Sequence, residues 1–260
     1  MSTKSKDIRT KSQELREAQK RKENRTRYII YTVVGLLVLA TISAVVWVVL
    51  SQGKDKPQPG ASVAPTDVTS FVVSADGVGK VKEGSVEVTE YFDYSCHACA
   101  DVDVLMKDKM QEGIDAGKIS VRYVPVDVVN MAWHPAAARA VKTVYEDDPE
   151  HFVAFHHGVL ESFSKLFQQG KAQVVTDPSA SAAAIAEIAT RVGVPEDVIK
   201  KFESADASAW LEVNTKAWQD VKLEGRDKLA TPEFAVNGKS VRLTQEDAAD
   251  PAGRFIKEAK

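Results

Sequence analysis

The chain has 260 residues, of which 44% are hydrophobic and 27% charged, with a formal net charge of −3. That composition excludes a mainly disordered protein and leaves room for a membrane segment plus one domain of roughly 200 residues. Charge is uneven: residues 1–27 carry ten Lys/Arg against four Asp/Glu, so the rest of the chain is acidic and has no basic stripe suited to a nucleic acid.

Residues 1–27 read as a polar cytoplasmic tail. Residues 28–50, "YIIYTVVGLLVLATISAVVWVVL", carry no charge. As a helix they would extend roughly 34 Å, enough to cross a hydrocarbon core. Tyr28, Tyr31 and Trp47 stand near the ends, where amphipathic rings favour the headgroup region. A cleaved signal peptide fits less well, because its apolar core normally covers only about 7–15 residues after a short basic region. With the basic flank preceding the span, the expected topology is an N-terminus in the cytoplasm and everything after residue 50 outside it. Residues 51–66, rich in Pro, Gly and Ser, read as a flexible tether.

From about residue 67 the pattern becomes that of one folded domain reaching residue 260. Strands are expected at 68–73, 86–92 and 118–126, with Val86, Val88, Glu90 and Phe92 on one face of the second. A helix from Cys96 to Gly113 separates the last two. From about 135 to 222 the chain reads as helical throughout. Phe152, Phe155, Val159, Leu160, Phe163, Leu166 and Phe167 form one apolar stripe there. Asp177-Pro178 is a helix start, and Trp133, Trp210 and Trp218 are expected to pack within this block. The end returns to two strands in 232–243, joined at Asn237-Gly238, and a helix over 245–259. The order predicts an α/β fold with an all-helical insertion.

The only cysteines, Cys96 and Cys99, stand three positions apart in "YFDYSCHACA". A disulfide across two intervening residues closes almost no loop, so it is a poor staple. A redox pair, half of a metal site and two buried apolar cysteines are the remaining readings. A structural zinc usually needs four ligands, and no second cysteine pair exists. A c-type haem needs His directly after the second cysteine, where this chain has Ala100. Cys96, between a strand and a helix start, meets unsatisfied amides and the positive end of the macrodipole, which lower a thiol pKa. Cys96 is therefore the expected nucleophile and Cys99 the resolving thiol. His97 is either a solvated side chain or a cation that further stabilises the Cys96 thiolate. His134 and His156 read as core or helix-end histidines.

"EYFDYSCHAC" followed by "TPEFAVNGK" resembles the membrane-tethered, DsbA-like thiol–disulfide oxidoreductases of the thioredoxin superfamily, over residues 67–259. The dipeptide His97-Ala98 departs from the Pro-His common in the oxidases. The resemblance implies a thioredoxin-like fold with a helical insertion. It implies Glu90 as the buried acidic residue that shuttles the proton of Cys99, and Thr231-Pro232 as the cis-proline loop that faces the sulfurs and presents backbone to a bound peptide strand. The expected activity is disulfide donation to secreted or cell-surface polypeptides through a mixed disulfide on Cys96. No metal or cofactor is expected, and a quinone-linked membrane protein would reoxidise the pair. A reductase or isomerase, or a non-catalytic binding module, are the rivals.

Overall fold

In a computed structural model, residues 69–260 are described. The expected tail, span and linker lie outside the described residues. Among the described residues, no helix is long and apolar enough to cross a membrane.

Among the described residues, six strands form one sheet: β1 (Phe71–Ser74), β2 (Gly77–Val78), β3 (Val86–Phe92), β4 (Ile119–Pro125), β5 (Glu233–Val236) and β6 (Lys239–Val241). Their spatial order is β2-β1-β4-β3-β5-β6. Only β3 and β4 are parallel, with Val86 beside Ile119 and Phe92 beside Pro125. The crossover between them is helix α1 (His97–Asp115). β3 is central, flanked by β4 and β5, and every residue from Val88 to Phe92 is buried. Val88 and Phe92 join the main core with Met106, Met110 and Ile114 of α1. Tyr91 points to the other face, against Val124, Trp218 and Ala235.

The insertion comprises α2 (Trp133–Asp147), α3 (Phe152–Gln168), α4 (Ala172–Thr176), α5 (Pro178–Val192), α6 (Glu196–Ile199), a 3-10 turn (Lys200–Glu203) and α7 (Ser208–Asp220). Asp177 caps α5, its Oδ1 accepting the Ala180 N–H at 2.7 Å. The apolar stripe of α3 buries Phe152 through Phe163. It runs out at Phe167, which lies one turn beyond the core and is 40% exposed.

Three expectations require correction, and one strand was not foreseen: the hairpin partner β2 is too short for periodicity to mark. Trp218 packs on the sheet rather than among the insertion helices. Helix α1 begins at His97, with Cys96 as its N-cap residue. The C-terminal helix is broken into a 3-10 turn (Gln245–Ala249) and α8 (Pro251–Glu258). Pro251 has no N–H to continue the first turn, and Asp250 caps the second by accepting the Gly253 N–H at 2.9 Å. The β5–β6 turn is as expected, with Asn237 and Gly238 both at positive φ.

Candidate active site

Strand β3 runs into a turn, Asp93–Ser95, that delivers Cys96 to the start of α1. Cys96 has extended backbone, so its side chain occupies the capping position, where an oxygen normally accepts a first-turn amide. Here the acceptor is sulfur: the Cys99 N–H donates to Cys96 Sγ at 3.4 Å. The Cys96 thiol in turn donates to the Thr231 carbonyl at 3.5 Å, across the loop before β5. The Thr231-Pro232 peptide is cis. Both cysteines are free thiols, Cys96 8% and Cys99 1% exposed.

The two thiols are driven apart in acidity. Hydrogen bonding from the Cys99 side chain is the largest influence on Cys96; against the opposing effect of burial, and with further hydrogen bonds from the Thr231 side chain and the Cys99 amide, it lowers the pKa from 9.0 to about 6. Burial pushes Cys99 well above its ordinary value, reinforced by its hydrogen bond to Cys96 and by the negative charges of Cys96 and Glu90. Glu90, on β3 beneath the pair, is lifted from 4.5 to about 8 by burial and then by the neighbouring Asp103 charge.

His97 lies on the rim. Its Nδ1 is 3.8 Å from an Asp101 oxygen, and its ring meets Phe167 edge-on at 4.1 Å between centroids. Thiolate stabilisation comes first from Cys99, then from the Thr231 side chain and the Cys99 amide at the helix start. The imidazole is held by α1 and α3. His134 and His156 are fully internal. Tyr94 N–H donates to His134 Nδ1 at 2.9 Å, and the Tyr94 hydroxyl pairs with His156 Nδ1 at 2.9 Å.

Several neighbours escaped sequence reading. Asp93, fully buried three residues before Cys96, accepts the amides of Ser95, Val128 and Val129 at 2.6–2.9 Å, tying the loop after β4 beneath the site. Its signal was a charge at the end of an apolar strand. Asp103 on α1 contacts His157 on α3, Oδ1 to Nδ1 at 2.6 Å. Glu233, next after the cis proline, is held by Arg226 through two bonds at 2.9 and 2.6 Å and by the Trp218 indole at 2.7 Å. This clamp fixes the start of β5 and so the position of Thr231.

Two groups bring potential metal donors within 4.8 Å: Asp103, His156 and His157, and Asp93, Asp127 and His134. In each, the histidine Nδ1 atoms already hydrogen-bond to protein partners.

Comparison with known proteins matches the thioredoxin family model to residues 78–256. No match is found among curated proteins. Among solved structures, MdbA, a thiol-disulfide oxidoreductase from Actinomyces oris, is 21% identical. That likeness covers 80% of this chain and 97% of that one, with a TM-score of 0.59. BdbD from Bacillus subtilis, in its oxidised form, is 20% identical over 78% of this chain and 96% of its own, with a TM-score of 0.55. MdbA from Corynebacterium diphtheriae is 17% identical over 75% and 97%, at 0.53. These likenesses establish the fold: a thioredoxin-like sheet with the helical insertion of α2–α7.

Proposed function

This chain belongs to the thioredoxin family, and from that premise we propose that it is an extracytoplasmic thiol–disulfide oxidoreductase that donates disulfides to secreted polypeptides. The observation that carries the reading is the opposed acidity of Cys96 and Cys99. A thiol near pKa 6 is largely thiolate at neutral pH, hence a ready leaving group and a stable reduced form. Its neighbour stays protonated and enters the reaction only when a base removes its proton.

In the donating direction, a substrate thiolate attacks Cys96 Sγ of the enzyme disulfide. The Cys96–Cys99 bond breaks, and Cys99 leaves with the electron pair and takes up a proton from Glu90. A second substrate thiolate then attacks the substrate sulfur of the mixed disulfide and expels the Cys96 thiolate. The substrate is oxidised by two electrons and the enzyme pair is reduced by two. Thr231, opposite Cys96, would align the substrate backbone, and Pro232 would fix that loop. A membrane partner would restore the enzyme disulfide.

The tether 51–66 would hold the domain outside a membrane crossed by 28–50, with 1–27 in the cytoplasm; the uncharged run and its basic flank support this arrangement. The absence of structural cysteines suits an oxidising compartment, where the domain could not be mis-bridged.

The test is trapping. Cys99→Ala, with Cys96 intact, should accumulate Cys96-dependent mixed disulfides with secreted proteins on non-reducing gels. Their absence would overturn the catalytic reading.

A further inference from the structure

A buried proton must reach solvent. Resting on the exchange chemistry above, each half-cycle moves one proton at Cys99: in when the enzyme disulfide is reduced, out when Cys99 attacks a mixed disulfide on Cys96. Glu90 is the carboxylate whose charge acts on Cys99, yet it is buried on a central strand. What lies beside it is a small space of about 20 Å³, room for a single water.

That cavity is lined by Glu90, Asp103, Lys107, Tyr123 and His157, together with apolar residues. The Asp103 side chain is 7% exposed, and its Oδ2 is buried with no hydrogen-bond partner in the protein. Its other oxygen meets His157 Nδ1 at 2.6 Å. His157 and Lys107 also line a second space, an open cleft of about 530 Å³ between α1, α3 and α5. The imidazole, with the Lys107 side chain, thus stands between the space beside Glu90 and the cleft. The groups around it are Asp103 and Lys107 from α1, Tyr123 from β4, His156 and Glu161 on its own helix, and Arg191 on α5 across the cleft. Lys107 is held to Glu161 at 3.0 Å. His157 is the remaining cleft-lining group whose ring can accept a proton at one nitrogen while releasing one from the other.

We propose that Asp103 and His157 form the proton conduit between Glu90 and solvent, with one cavity water joining Glu90 to Asp103 and the α1–α3–α5 cleft as the exit. When Cys99 attacks, its proton passes to the Glu90 carboxylate, through the water to Asp103, and through the imidazole to the cleft. The path reverses when Cys99 leaves as a thiolate.

The test uses the reduced full-length protein mixed rapidly with an aromatic disulfide whose thiolate is coloured. Cys96 releases the first coloured thiolate; Cys99, on losing its proton and attacking Cys96 Sγ, releases the second. His157→Ala should leave the first phase unchanged and slow the second about 10-fold, a part of the about 10²–10⁴-fold that positioned acid–base groups supply. Added imidazole, entering from the cleft, should restore it saturably. His157→Gln keeps a hydrogen bond to Asp103 without a transferable ring proton and should be slowed alike, which separates proton transfer from support of the fold. An unchanged second phase in both variants, a slowed phase that imidazole does not restore, or Glu90→Gln with an unaffected second phase overturns the conduit. If the wild-type protein shows neither phase, the exchange reading itself fails.

Discussion

Glu90→Gln should make the protein more stable, and by an amount that depends on pH in a defined way. Glu90 lies against Met106, Met110, Tyr123 and Phe234, and burial there, with Asp103 nearby, raises its carboxyl from 4.5 to about 8. The native state therefore holds this proton more tightly than the unfolded chain. By linkage, stability contributed by the protonated carboxyl is fully present below about pH 4.5 and is lost as pH rises towards about 8. The gap between those values, at about 1.4 kcal/mol for each pH unit, bounds the loss at about 5 kcal/mol. Glutamine cannot ionise but must still bury an amide, so a gain of about 2–4 kcal/mol above pH 8 is expected, falling towards zero below pH 5. Cys96 titrates in the same interval with the opposite sign, but equally in both proteins, so it cancels in the difference. Urea unfolding of the reduced wild type and variant at half-unit steps from pH 4.5 to 8.5 measures that difference. A difference constant across the range would refute the buried, proton-retaining Glu90.

Two further outcomes follow from the same geometry. Thiolate absorbance of the reduced protein should titrate Cys96 near pH 6, and Cys99→Ala should raise that midpoint, because Cys99 makes the largest contribution; His97→Ala should move it less, and the reverse ranking would contradict the site. Arg226→Met should cost about 3–5 kcal/mol in urea unfolding by leaving the Glu233 carboxylate buried without its partner, while Arg226→Met with Glu233→Leu should recover much of that loss; a single-variant cost below about 1 kcal/mol would refute the clamp.

How much of this was legible beforehand depended on the kind of signal. The strands other than β2, the crossover helix and the presence of a helical insertion follow from apolar periodicity, and the β5–β6 turn from Asn237-Gly238. Cys96 at a helix start follows from the strand–helix change around it. Thr231, more than a hundred residues away, was reached only through a resemblance, since nothing local says that its carbonyl faces Cys96. Asp93, Asp103 and His157 were missed for the same reason: each is a polar residue whose meaning lies in a partner on another element. His97 shows the converse limit. Adjacency to Cys96 suggested help for the thiolate, but consecutive side chains at a helix start diverge, and the ring meets Phe167 at the end of α3 instead. The long C-terminal helix failed at one residue, Pro251, whose helix-starting preference outweighs continuity of the pattern.

The central claim, that the Cys96–Cys99 pair is built to give its disulfide away, is tested most directly by its reduction potential, from equilibration with glutathione buffers and quantification of the thiols. A Cys96 thiolate stabilised by the helix start favours the dithiol, each 30 mV being worth about 1.4 kcal/mol. The predicted potential is well above the roughly −270 mV of thioredoxin. A value at or below that figure would contradict disulfide donation and favour the reductase reading.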